Sequence, residues 1–63
     1  SPDGKTPLMM AAMFNRLAIF ELLLQHGARI DAVESRGMTA VSLAKSMNAQ
    51  ETLARLVSLG QTA

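Results

Sequence analysis

The sequence predicts an all-α fold, two stacked helix-turn-helix repeats forming a short α-solenoid. Three observations predict it. Laid on itself at an offset of 33, the chain pairs Gly4 with Gly37, Thr6 with Thr39, Ala11 with Ala44, Asn15 with Asn48, Leu23 with Leu56 and Gly27 with Gly60. Between these identities the class of residue is kept, as in Leu8 with Val41, Met10 with Leu43, Phe14 with Met47, Phe20 with Leu53 and Leu24 with Val57. Self-similarity at this period marks a repeat architecture. The apolar residues of each unit recur at helical spacing. Finally, the 63 residues are 49% hydrophobic, 17% charged and only 3% aromatic. That is too apolar for disorder, and its core must be built from aliphatic side chains and methionine.

Each element follows in order. Gly4 supplies the permissive backbone of an opening turn, and Thr6 is placed to accept from free amides of a first helical turn. Pro7 sits at the first helical position, where its missing N–H costs nothing. The helix should stop near Asn15, because asparagine tolerates the left-handed conformation better than any residue but glycine. A tight link leads to a second helix, with Leu17, Phe20, Leu23 and Leu24 on one face and Gly27 as its C-cap. Asp31 and Glu34 read as a solvated loop. The second unit repeats the plan: Gly37 in the turn, Thr39 as N-cap, Asn48 as stop, then Leu53, Leu56 and Val57 before Gly60. Glu51 and Arg55, four apart with the acid first, are expected to pair in solvent for a few tenths of a kcal/mol.

Composition excludes several functions. At this length the chain is one small domain. Six Lys plus Arg against five Asp plus Glu give a net charge of +1, too weak a field to call for nucleic acid or anionic lipid. Without cysteine there is neither a disulfide nor a thiolate metal site; the compartment stays open, with the cytoplasm favoured over secretion. The most apolar stretch, 7–24, is interrupted by Asn15, Arg16 and Glu21, so a membrane span is not expected. Ser1-Pro2-Asp3-Gly4 opens with a turn and lacks the charged start of a signal peptide, so the chain is read as starting within something already mature or as a cut piece. Gly4-Lys5-Thr6 matches the end of a phosphate-binding loop, but its first glycine would precede residue 1 and the repeat register already explains Gly4 and Thr6. His26, the single histidine, has no second ligand or base near it in sequence and reads as structural or exposed. No catalytic residue, cofactor or metal site is expected.

The run Asp3-Gly4-Lys5-Thr6-Pro7-Leu8-Met9-Met10-Ala11-Ala12, continued by Leu22-Leu23-Leu24-Gln25-His26-Gly27-Ala28, resembles the ankyrin repeat, whose core is Thr-Pro-Leu-His-x-Ala-Ala. The resemblance implies an ankyrin-like repeat over 1–33 and a C-terminal capping repeat over 34–63. The departures have consequences of their own. Met9 and Ser42 replace the family histidine, so the hydrogen-bond network usually built on it is expected to be absent. Ala40 replaces the proline, Lys45 the second alanine and Arg55 an apolar residue, the polar turn expected of a last repeat that no neighbour covers.

In the family, the positions matching Met13, Phe14, Ser46 and Met47 lie at the exposed end of the inner helix, and those matching Lys5 and Met38 lie on the turn. The resemblance therefore implies a non-catalytic protein–protein interaction module that uses these six residues as an apolar concave and turn surface, with Lys5 at its rim. Met10 is assigned to gap-filling core. Met9, Met10, Met13, Phe14, Leu17, Ile19 and Phe20 are more apolar residues than one contact with the second unit should bury. They predict an uncovered N-terminal face that packs on a preceding repeat, on another copy of the chain or on a partner. The alternative function is therefore a terminal structural cap of a longer array, and two units alone should be marginal in stability.

Overall fold

The computed structural model describes residues 2–62 as four helices: α1 (Pro7–Met13), α2 (Leu17–Gln25), α3 (Ala40–Ser46) and α4 (Gln50–Ser58). There is no strand among the described residues. Two short helix pairs, α1–α2 and α3–α4, stand side by side, with α1 packed chiefly on α3 and α2 also touching α4.

The first helix of each pair starts on a threonine. Thr6 Oγ1 accepts from the Met9 amide at 3.2 Å, and Thr39 Oγ1 accepts from the Ser42 amide at 3.4 Å. The residue in the family-histidine position answers in each case. Met9 Sδ accepts from the Thr6 amide at 3.4 Å and Ser42 Oγ from the Thr39 amide at 3.1 Å, closing two reciprocal capping boxes. The expected loss of hydrogen bonding at these positions is thus corrected: a thioether and a hydroxyl replace it locally, the thioether being the weaker acceptor.

All four helices end alike. The residue after the C-cap has positive φ, at Asn15 (59°), Gly27 (86°), Asn48 (55°) and Gly60 (87°). It donates to the carbonyl three residues back, and its successor reaches five back, as in Asn15 to Ala12 (3.2 Å) and Arg16 to Ala11 (2.9 Å). This is the Schellman geometry, and it makes the turn into α2 and α4 tight.

Neither α2 nor α4 has a side-chain cap of its own, their N-cap residues being Arg16 and Ala49. For α4 the cap comes from the other pair. Asn15 Oδ1 accepts from the amides of Glu51 (2.9 Å) and Thr52 (3.1 Å), while Asn15 Nδ2 reaches Glu51 Oε1 at 3.3 Å. One residue therefore stops α1 and starts α4. Thr52 adds a second polar link between the pairs: fully buried, its hydroxyl donates to the Ala12 carbonyl at 2.6 Å. A third is the ion pair of Arg55 with Glu21 at 2.8 Å. The expected Glu51–Arg55 pair is thereby corrected, since each side chain turns to the first helix pair.

Between these links lies the core: Leu8, Met9, Ala11, Ala12 and Phe20 from the first pair, with Ala40, Val41, Leu43, Ala44, Ala49 and Leu56 from the second. Alanines at the contact let α1 and α3 approach closely, and each large side chain buried there stabilises by roughly 1.5–3 kcal/mol. Of the seven apolar residues assigned from sequence to an open face, Met9 and Phe20 belong to this core, Met13 and Leu17 are half-buried against it, and Met10, Phe14 and Ile19 are exposed. The uncovered face is real but smaller than the sequence suggests. No helix among the described residues is long and apolar enough to cross a membrane.

Candidate functional site

The turns come first, because two of the expected contact residues lie there. Glu34 has its side chain fully covered, and Oε1 accepts from the amides of Arg36 (2.6 Å) and Met38 (3.1 Å). Its other oxygen faces the Arg36 guanidinium at 3.2 Å and the Lys5 ammonium at 3.7 Å. The Met38 amide above all, with the Arg36 amide and guanidinium, holds this carboxyl below its ordinary value, although burial alone would raise it. The reading of Asp31 and Glu34 as a solvated loop is corrected for Glu34, whereas Asp31 is exposed and pairs with Arg29 at 3.3 Å. Lys5 belongs to the same cluster. Its ammonium sits 2.7 Å from Asp3 and most of its side chain is covered, so it braces the two turns and is not a free cation at a rim. The Ser35 amide donates to the Asp3 carbonyl at 2.9 Å, tying turn to turn directly. Met38, beside this brace, is half-buried against the core.

The remaining expected residues sit at the ends of α1 and α3. Phe14 and Met47 are the C-cap residues of these helices and are 51% and 47% exposed. Both stand one residue before a left-handed asparagine, which fixes the backbone beneath them. Met13 is half-buried and packs on the core; Ser46 is exposed. The side-by-side packing of α1 and α3 thus places Phe14, Ser46 and Met47 at the same end of neighbouring helices. His26 is exposed at the end of α2, and no group of three or more His, Cys, Asp or Glu among the described residues could hold a metal ion.

A larger feature lies on the outer side of the first helix pair. Pro7, Met10, Ala11 and Phe14 of the α1 segment, with Arg16, Ile19 and Leu23 of the α2 segment, line an open apolar groove of about 490 Å³. Met10 is therefore corrected from core to groove wall, being 43% exposed. The spacing i, i+3, i+4, i+7 from Pro7 to Phe14 was the signal for this face in the sequence. It was masked because Met9 and Ala12 give α1 a second apolar side, the one turned to α3.

The family model for ankyrin repeats, which describes three copies, matches residues 1–63. A curated relative, the ARF GTPase-activating protein Git of Drosophila melanogaster, is 40% identical over 52 residues, which is 82% of this chain. The chain spans only 7% of that relative's length. With its 33-residue period, threonine-capped first helices and two packed helix pairs already established, the chain belongs to the ankyrin repeat family.

Proposed function

We propose that this chain is a non-catalytic protein-binding module that presents Met13, Phe14, Met38, Ser46 and Met47 to a protein partner. Ankyrin repeats in general mediate protein–protein interaction. The observation that carries the finer reading is the exposure of two large apolar side chains, Phe14 and Met47, on rigid helix ends where the core does not use them. Presenting apolar groups on a preformed backbone limits the entropy lost on docking, and methionine adapts to varied partner surfaces. Peptides selected from a display library against the chain test this. They should lose more than about fivefold in affinity for the Phe14→Ala/Met47→Ala double variant, about 1 kcal/mol, with its thermal melt unchanged. Peptides that bind both forms equally would contradict it.

A second reading is favoured by the asymmetry of the stack: residues 1–33 form an interior repeat and 34–63 its C-terminal cap. Where the first pair buries Met9 and Ala12 against its neighbour, the matching positions of the second pair carry half-exposed Ser42 and exposed Lys45. A further unit on that side would have to desolvate the Lys45 ammonium, which is costly without a partner. The cap reading predicts that Lys45→Ala leaves stability within about 0.5 kcal/mol in urea titration, as at an ordinary surface site. A larger loss would mean that Lys45 is integrated into the fold.

A further inference from the structure

The cations of this chain are not equally occupied. Four of the six lysines and arginines face a carboxylate: Lys5 meets Asp3 and Glu34, Arg29 meets Asp31, Arg36 meets Glu34, and Arg55 meets Glu21. Arg16 and Lys45 form no ion pair among the described residues, and both are exposed. The remaining acid, Glu51, accepts from Asn15 Nδ2 at 3.3 Å and pairs with neither of them.

The two unpaired cations flank the same surface. Arg16 follows Phe14 by two residues and borders, with it, the groove on the outer side of α1 and α2. Lys45 precedes Met47 by two residues, in the last turn of α3. Its counterpart one repeat earlier, Ala12, is fully buried between the helix pairs, so Lys45 faces away from α1 at the opposite edge of the stack. Phe14 and Met47 therefore lie between two positive charges, one at each edge. A terminal repeat needs a polar residue at position 45 whatever its sign, and that need does not extend to Arg16 on the other edge.

We infer that this surface takes an acidic peptide segment of a partner protein, with apolar side chains seated on Phe14 and Met47 and a carboxylate on either side meeting Arg16 and Lys45. This rests on the surface proposed above and names the chemistry of its occupant. Axes of packed helices lie roughly 8–10 Å apart and an extended chain advances about 3.3 Å per residue, so about three residues of the peptide cross from Phe14 to Met47. The Arg16 guanidinium can hold a carboxylate through two parallel hydrogen bonds, whereas Lys45 acts as a point charge. Charges at the edge of an apolar patch decide which partner docks, and how fast, more than how tightly. Two cations are too few to hold a nucleic-acid backbone, which binds through many phosphate contacts.

Peptides selected from a display library against the 63-residue chain test this. Those that depend on Phe14 and Met47 should carry Asp or Glu on both sides of their apolar residues. Arg16→Gln/Lys45→Gln should lower their affinity about three- to tenfold at about 50 mM salt, with the thermal melt unchanged, as expected of two exposed ion pairs. Raising the salt to about 500 mM should remove most of that difference. Converting the peptide's own carboxylates to amides should weaken binding to the parent by a similar factor and to the double variant hardly at all. Peptides that need Phe14 and Met47 but are neutral or basic, or that bind the double variant as well as the parent, would overturn the inference and leave the surface standing. Peptides indifferent to Phe14 and Met47 would overturn both. An oligothymidylate that displaces the peptides at equal concentration would also overturn it, giving the two cations to phosphate.

Discussion

The two helix pairs share a fold and differ in surroundings. Leu43, Thr52 and Leu56 of the second pair are sealed by the first, whereas Met10, Ile19 and Leu23, their counterparts, border an open groove. Asn15 caps the helix of its neighbour, whereas Asn48, with the same positive φ, is exposed at the end of the stack. The difference teaches that in a solenoid the work a residue does depends on whether a neighbour occupies the next place, and its identity says only what it could do there.

The sharpest way to break the comparison is a matched pair of truncations. Leu56→Ala should cost about 2–5 kcal/mol in urea unfolding and leave little cooperative transition, while Leu23→Ala should cost less than half as much, because a half-exposed side chain leaves no sealed cavity. Equal losses would mean that the two faces are not different. The asparagines come next. Asn15→Gly keeps the left-handed backbone and removes only the cap, so it should cost about 1 kcal/mol; Asn48→Gly should fall within a few tenths of the parent.

The turn brace gives a smaller, pH-dependent effect. Because the folded state holds Glu34 below its ordinary value, the stabilisation is present above the unfolded value of about 4.3 and is lost as pH falls through the lower folded value. The melting temperature of Glu34→Gln should therefore fall less steeply than that of the parent as pH drops from about 5 to about 3. A parallel decline would remove Glu34 from the account. The least effect is expected at Arg55→Ala, no more than about 0.5–1 kcal/mol, since its pair with Glu21 is partly exposed.

Much of the fold was legible in the sequence. The 33-residue period, the threonine caps and the asparagine and glycine stops are local features, and each appears where the residues place it. What was hidden is long-range. Nothing in the spacing of Glu51 and Arg55 announces that Asn15 and Glu21, more than thirty residues earlier, will claim them. Glu34 looked like an ordinary loop acid because its ligands are backbone amides, which every sequence contains. Lys5 looked like a rim cation for a different reason, since the carboxylates of Asp3 and Glu34 come to it only through the geometry of the turns. Of the candidate surface, Phe14 and Met47 were visible as large apolar residues at helix ends. The groove was visible only as an excess of apolar residues, without the division between Met9 and Met10 that decides which side is open.

The central claim is that equivalent positions act alike only where a neighbour is present. Amide hydrogen exchange by NMR on the 63-residue chain tests it most directly. The amides of Glu51 and Thr52, bonded to Asn15, should exchange at least about tenfold more slowly than those of Ala18 and Ile19, the same positions in a helix without a side-chain cap. Equal protection of the two pairs would contradict the account.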